Sequence, residues 1–275
     1  MTILVYPGRH ARHLIGMHTS VEDRDQARWL RRFHPAPAAP VRLVCFPHAG
    51  GSATYFRQLS AALSPAVDVQ AVQYPGRQER HMEPLIPDLA TLADLTAQVV
   101  VPDGRATAFF GHSMGATVAF EVARRWEEQN RILLSLFTSG RRAPSIPPKE
   151  RVALDTDDDV LLELAKLDGT DPRLLVDEDV RQMILPVIGN DYRAAETYRC
   201  SDGATVRCPI VMLRGASDPR VSEPEAQRWR VHTAGRFTAH TFTGGHFYID
   251  SNIGAVASLI AAELGAATPA RAARP

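Results

Sequence analysis

From Val41 onward the chain alternates short apolar runs with stretches of helical periodicity. Val41–Phe46, Val67–Val72, Thr107–Phe110, Ile132–Phe137 and Ile210–Leu213 are short, apolar and bounded by polar, Gly or Pro residues, the pattern of strands buried on both faces. Phe237–Phe242 reads as the last strand. Between or after these runs, Ala53–Leu63, Leu89–Val100, Thr117–Glu128, Glu223–His232 and Gly254–Leu264 fit helices. Strands alternating with helices signal βαβ units, so the predicted class is α/β with a mostly parallel central sheet. One block breaks the alternation: between Asp155 and Thr197 lie two or three amphipathic helical segments, including Val160–Leu167 and Val180–Ile188, with no strand. An all-helical insertion between two strands of a parallel sheet reads as a lid over the strand ends, where such folds bind ligands.

The ends lack this pattern. Residues 1–24 mix His, Arg, Gly and Ser without periodicity and read as an extension, with Met17 as an alternative start. Trp29–Phe33 and the Pro/Ala run Pro35–Pro40 lead into the domain, which is expected to span 25–264. Residues 265–275 are too poor in large apolar groups to pack and are expected to fray.

Composition narrows the classes further. With 275 residues, 45% hydrophobic and 23% charged, the chain is no collagen, coiled coil or disordered protein. Lys and Arg number 31, as do Asp and Glu, so the net charge of zero gives no overall attraction to nucleic acid or an anionic membrane. No run approaches the roughly 18 apolar residues of a spanning helix, and no signal peptide opens the chain, so the default compartment is the cytoplasm. Three cysteines are too few and too scattered for a disulfide framework or a zinc knuckle, and no metal is expected. Nothing demands more than a monomer.

The pattern that carries chemistry is Gly111-His112-Ser113-Met114-Gly115, a G-x-S-x-G placed directly after the strand Thr107–Phe110 and directly before the helix Thr117–Glu128. A sharp strand-to-helix turn there would raise Ser113 at a helix N-terminus as a nucleophile, where an ordinary turn would use it only as a cap. A serine hydroxyl needs a base held by a third group, and this fold orders them Ser…Asp…His. Of ten histidines, His246 in Gly244-Gly245-His246-Phe247 follows the last strand on a loop that glycines leave free to approach the serine. His48, His81 and His112 precede Ser113; the others lie in the extension, the spacer, or a helix and strand without glycine neighbours. Asp218, in Gly215-Ala216-Ser217-Asp218-Pro219 just after Ile210–Leu213, is the expected acid; Asp250 ranks below it as a helix starter. Two backbone N–H groups should face the developing oxyanion: that of Met114 and one from Phe46-Pro47-His48-Ala49-Gly50-Gly51-Ser52, with Ala49 the chosen donor.

These residues, together with Trp29-Leu30-Arg31-Arg32-Phe33, Gln73-Tyr74-Pro75-Gly76-Arg77 and Gly244-Gly245-His246-Phe247-Tyr248, resemble the α/β-hydrolase superfamily. More narrowly, the chain is similar to the type II thioesterases that accompany modular polyketide and nonribosomal peptide synthases, over about Asp25 to Leu264. The resemblance implies hydrolysis of acyl groups from the phosphopantetheine thiol of carrier proteins, clearing aberrant units. Ser113 would attack the thioester, His246 carry the proton, Asp218 orient His246, and Met114 and Ala49 hold the oxyanion. No cofactor is implied beyond the arm on the partner protein. Three alternatives stay open at this point: a carboxylesterase or lipase using the same triad, a cyclising thioesterase domain, and a non-catalytic hydrolase-fold binding protein. Arg141, Arg142, Lys149 and Arg151 are a candidate patch for docking an acidic carrier protein, against the reading of a solvated loop.

Overall fold

The computed structural model describes residues 21–147, 156, 159–161 and 178–267. Runs rich in Val, Leu and Phe form the strands, where such side chains pack on both faces of the sheet. Val41–Phe46 (β2) and Val67–Val72 (β3) are buried at every residue. They are joined by Leu30–Arg31 (β1), Ala106–His112 (β4), Leu136–Ser139 (β5), Ile210–Gly215 (β6) and Phe237–Phe242 (β7). The seven described strands lie in the order β1-β3-β2-β4-β5-β6-β7. Only β1 runs antiparallel; every other pairing is parallel. This is the α/β-hydrolase arrangement, with β4 in the middle.

The period of two along β4 divides the core. Phe109 faces one side, with Phe46, Phe120, Trp126 and Trp229, under the helices Leu89–Val99 (α3) and Met114–Glu128 (α4). Phe110 faces the other, with Leu43, Phe56, Phe137 and Ile260, under Arg57–Leu63 (α2) and Ile253–Ala267 (α8). The remaining helices are Val21–Trp29 (α1), Glu178–Thr197 (α5), Glu223–Gln227 (α6) and the single turn Tyr248–Ser251 (α7).

Several expected bounds are corrected. The strand expected at Ile132–Phe137 starts at Leu136, and Ile132 is 85% exposed. The segment before it is a crossover in which the Trp126 indole donates to the Ile132 carbonyl and Leu134 N–H to Thr107 O. The extension expected through residue 24 already holds α1 from Val21, and the lead-in after Trp29 supplies β1 at the sheet edge. The helix expected at Ala53–Leu63 opens as a 3₁₀ turn, Ala53–Phe56, and the one at Glu223–His232 closes as another, Arg228–His232. The segment expected at Val180–Ile188 is part of the longer α5. The alternative start at Met17, Val160–Leu167 beyond Leu161, and the tail from residue 268 lie outside the described residues.

Phe109 tests the central strand, because it is fully buried and packs edge-on against Phe46 and Trp126, with ring centroids 5.4 and 5.6 Å away. Phe109→Ala should cost about 3–5 kcal/mol of stability, read as a lower urea midpoint by circular dichroism.

Candidate active site

Where β4 ends at His112, the chain turns at Ser113, whose φ of 55° and ψ of −121° put a non-glycine residue in a sparsely populated region, before α4 begins at Met114. Such a conformation costs about 1–3 kcal/mol and persists only where its surroundings impose it. They do so from two sides. The Ser113 N–H donates to Ser139 O of β5 at 2.7 Å. On the other side Gly115 lies so close to the end of β2 that a Cβ there would sit 2.0 Å from Phe46 O and 2.5 Å from Pro47 O. The first turn of α4, with its free N–H groups, is thereby pressed against the loop carrying Ala49. Ala49, Ser113, Met114, Arg141, Tyr192 and His246 line one cavity of about 40 Å³.

The loops after β6 and β7 are brought together in the same way. A Cβ at Gly215 would lie 2.1 Å from Gly245 O, and Ser217 N–H donates to Gly244 O at 2.9 Å. This seats Asp218 beneath His246. His246 Nδ1 donates to Asp218 Oδ1 at 3.1 Å and Oδ2 at 3.0 Å, and Oδ1 also accepts the Arg220 N–H at 2.9 Å. Both side chains are buried, His246 at 2% exposure. The carboxylate thereby fixes the tautomer that leaves Nε2 as an acceptor. Among the hydrogen bonds of the described residues none joins Ser113 to His246; in unliganded sites such contacts are often long.

Two more imidazoles crowd the base. His112 is fully buried, with its ring 5.1 Å from that of His246, and bonds Ser139 Oγ at 2.9 Å, which in turn shares a 2.7 Å hydrogen bond with Tyr248 OH. Burial pushes the His112 pKa well below the ordinary imidazole value, and the nearby His246 adds to the effect. Burial likewise lowers His48 to about 3. Both are neutral at physiological pH. Among the described residues, His246 is the histidine with a carboxylate partner.

All five residues singled out from the sequence fall at this place: Ala49, Ser113, Met114 and His246 on the cavity wall, Asp218 behind His246. Asp250 lies within α7. Of the four residues of the candidate basic patch, Arg141 and Arg142 lie among the described residues. Arg141 is a wall of the serine cavity and donates to Ala195 O at 3.0 Å, while Lys149 and Arg151 lie outside the described residues. Burial, and after it the charges of Arg142 and Arg220, lower the Arg141 pKa to about 10. Arg141 and Arg142 also line a neighbouring cavity of about 350 Å³. The sequence reading missed Asp191, a buried acid on α5 paired with Arg77; the only trace of it was Arg77 at the end of Gln73-Tyr74-Pro75-Gly76-Arg77. Among the described residues, no group of three or more His, Cys, Asp or Glu is placed to hold a metal, and no helix is long and apolar enough to cross a membrane.

Residues 41–264 match the thioesterase domain family. The chain is 46% identical over 257 residues to a probable cadicidin biosynthesis thioesterase of Streptomyces griseus, covering 93% of this chain and 71% of the relative. It is also 46% identical over 230 residues to the thioesterase PikA5 of Streptomyces venezuelae, covering 82% of each. Among solved structures it is similar to the type II thioesterase BorB from the borrelidin biosynthetic cluster, with a TM-score of 0.78, 46% identity, and 86% and 97% of the two chains covered.

The neutral histidine behind the base has a consequence for stability. A histidine whose folded pKa lies below its unfolded value contributes stability present above about pH 6.5 and lost as pH falls, because the unfolded chain then binds the extra proton. His112 should therefore contribute a loss of stability as pH falls below about 6.5. His112→Gln, which keeps a partner for Ser139, should flatten the fall of the urea midpoint with pH below about 6.5; an unchanged slope would mean that His112 is not held neutral.

Proposed function

This chain belongs to the thioesterase domain family, and from that premise we propose that it is a type II thioesterase, hydrolysing acyl groups from the phosphopantetheine thiol of carrier proteins that serve polyketide or nonribosomal peptide synthases. The observation that carries the reading is the Asp218–His246 pair on the wall of the cavity holding the strained Ser113. His246 Nε2 takes the proton as Ser113 Oγ adds to the thioester carbonyl. Asp218 stabilises the imidazolium that forms and keeps it oriented. The negative oxygen is received by the N–H groups of Met114 and Ala49, and the Met114 donor gains from the positive end of α4. When the intermediate collapses, the C–S bond breaks and His246 protonates the leaving thiolate, leaving the acyl group on Ser113. Water then adds to the acyl-serine with His246 again as base; the C–O bond to Ser113 breaks, and the free acid leaves. Water is the only other reactant, so the steps call for no metal or bound cofactor. Similarity to a probable cadicidin biosynthesis thioesterase and to the thioesterase PikA5 supports the choice of a thioester over an oxygen ester.

The test compares one acyl group presented on a phosphopantetheinylated carrier protein and as a small oxygen ester, following free thiol from the first and free acid from both. Wild type should release thiol and favour the carrier; Ser113→Ala should be silent, and Asp218→Asn should lose about 10⁴-fold in kcat, through the wrong tautomer of His246. Cleavage of the oxygen ester alone would leave the serine hydrolase but refute the substrate class.

A further inference from the structure

The Tyr-Pro-Gly-Arg segment plays no part in the steps above, yet its arginine is buried beside the site. Arg77 and Asp191 are both buried and form an ion pair between the loop after β3 and helix α5. The Asp191 carboxylate does more than neutralise Arg77. The oxygen that accepts from Arg77 Nη2, Oδ2, also accepts the backbone N–H of Gly50 at 2.8 Å. One carboxylate thus ties three segments together: the β3 exit loop, α5 and the loop that carries Ala49.

The surrounding contacts aim the pair. Arg77 Nη1 donates to Pro75 O at 2.6 Å, its guanidinium lies 5.4 Å from the Tyr74 ring centre, and its Nε is buried without a partner among the described residues. Its orientation therefore rests on Pro75 and Asp191. Gln73 ties the same turn to the start of the next element, accepting from Ala53 N–H at 2.8 Å and donating to Arg77 O at 3.2 Å. On the helix side, Asn190 donates to Ile86 O at 2.9 Å and fixes α5 next to Asp191.

Gly50 is held in a conformation that it would not keep by itself. Its φ is +73°, and a Cβ there would lie 2.5 Å from Ile188 Cγ1, one helical turn before Asp191 on α5. Glycine reaches both signs of φ at little cost, so its rotation is limited by what grips it. Here the grip is a charge-assisted hydrogen bond, about twice as strong as a neutral one. It acts one peptide unit from the Ala49 N–H, and the value of an oxyanion donor depends on its being in place before charge develops.

We infer that Arg77 and Asp191 are positioning residues that latch helix α5 onto Gly50 and so set the Ala49 N–H for the oxyanion. This deepens the proposed function and rests on its assignment of Ala49. Neither side chain touches substrate. Arg77 orients the carboxylate, the carboxylate holds Gly50, and Gly50 holds the donor.

The test uses the full-length protein, the carrier-borne thioester and a trifluoromethyl ketone analogue of the acyl group. Ser113 Oγ adds to the ketone carbon and its proton passes to His246, leaving a negative oxygen where the intermediate's would sit. Asp191→Ala should lower kcat about 10- to 100-fold, less than the loss of a donor outright. KM should stay within about threefold, the signature of an interaction made in the transition state. The ketone should weaken by the same factor as kcat, whereas a thioether analogue lacking the carbonyl should bind as it does to wild type. Two double variants guard against misfolding, since replacing both members of a buried pair is tolerated where removing one is not. Asp191→Leu with Arg77→Met leaves Gly50 without an acceptor and should be as slow as Asp191→Ala. Asp191→Asn with Arg77→Met restores an acceptor and should recover most of kcat and of the ketone affinity. Equal kcat in the two double variants, or equal loss of ketone and thioether binding, would overturn the latch. Ser113→Ala is the control for the parent reading: if it retains activity the serine mechanism fails, and if it is silent while the double variants agree, only the latch does.

Discussion

One backbone contact governs this molecule: the first turn of α4 lying against the end of β2, at a distance that admits no side chain at Gly115. Nearly everything at the site follows from it. Ser113 is forced into its strained conformation because the strand must end and the helix begin within a single residue. The loop after β2 must pass beside the helix N-terminus, which places Ala49 and Met114 on one wall. The cost of the strain, about 1–3 kcal/mol, is small beside the burial around β4. Phe109 and Phe110 alone bury side chains whose removal from water contributes roughly 1.5–3 kcal/mol each. A parallel sheet then does the rest. Its strands end on the same edge, so the residues after β2, β4, β6 and β7 are neighbours although the chain separates them by up to two hundred positions.

How far the sequence disclosed this depended on how local each cause is. Strands β2, β3 and β7 lie at the residues where the apolar runs place them, because polar or Gly/Pro residues bound each run. The run before β5 misleads, since Ile132 is as apolar as a core residue yet faces solvent. Hydrophobicity marks what can be buried; the crossover from α4 decides what is. At helix α5 the segment named from the sequence, Val180–Ile188, is shorter than the element. Its apolar periodicity stops near Ile188, and Gly189-Asn190-Asp191 are poor helix formers, yet the helix runs on to Thr197. The hydrogen bonds of Asn190 to Ile86 and of Asp191 to Gly50 hold it there, and they join residues 104 and 141 positions apart. No local pattern carries such information.

The catalytic candidates were legible for a different reason. Each sits immediately after a strand, on a loop whose glycines have little else to do, so motif and chain order sufficed to pick Ser113, Asp218 and His246 from thirteen serines, ten histidines and many acids. The sequence put Arg141 in a candidate docking patch, because a pair of arginines in a loop carries no sign of burial. The structure turns it inward, to the Ala195 carbonyl and the cavity wall. The histidines around the base were equally invisible as a group, being a product of how β2 and β4 stack their ends. Burial keeps His48 and His112 neutral, and among the described residues His246 is the histidine with a carboxylate partner.

Helix α5 joins these threads. Tyr192 and Ala195 face the cavity of Ser113, Ile188 packs on Gly50, and Asp191 grips its N–H. Residues 188, 191, 192 and 195 recur at steps of three and four, so they lie on one stripe of the helix. The face of α5 that lines the cavity of Ser113 is therefore the face that holds the loop carrying Ala49. A rigid-body shift of α5 moves the cavity wall and pulls on Gly50 together. In this architecture the wall of the Ser113 cavity and the position of the loop carrying Ala49 are set by the same helix, so whatever displaces α5 acts on both at once.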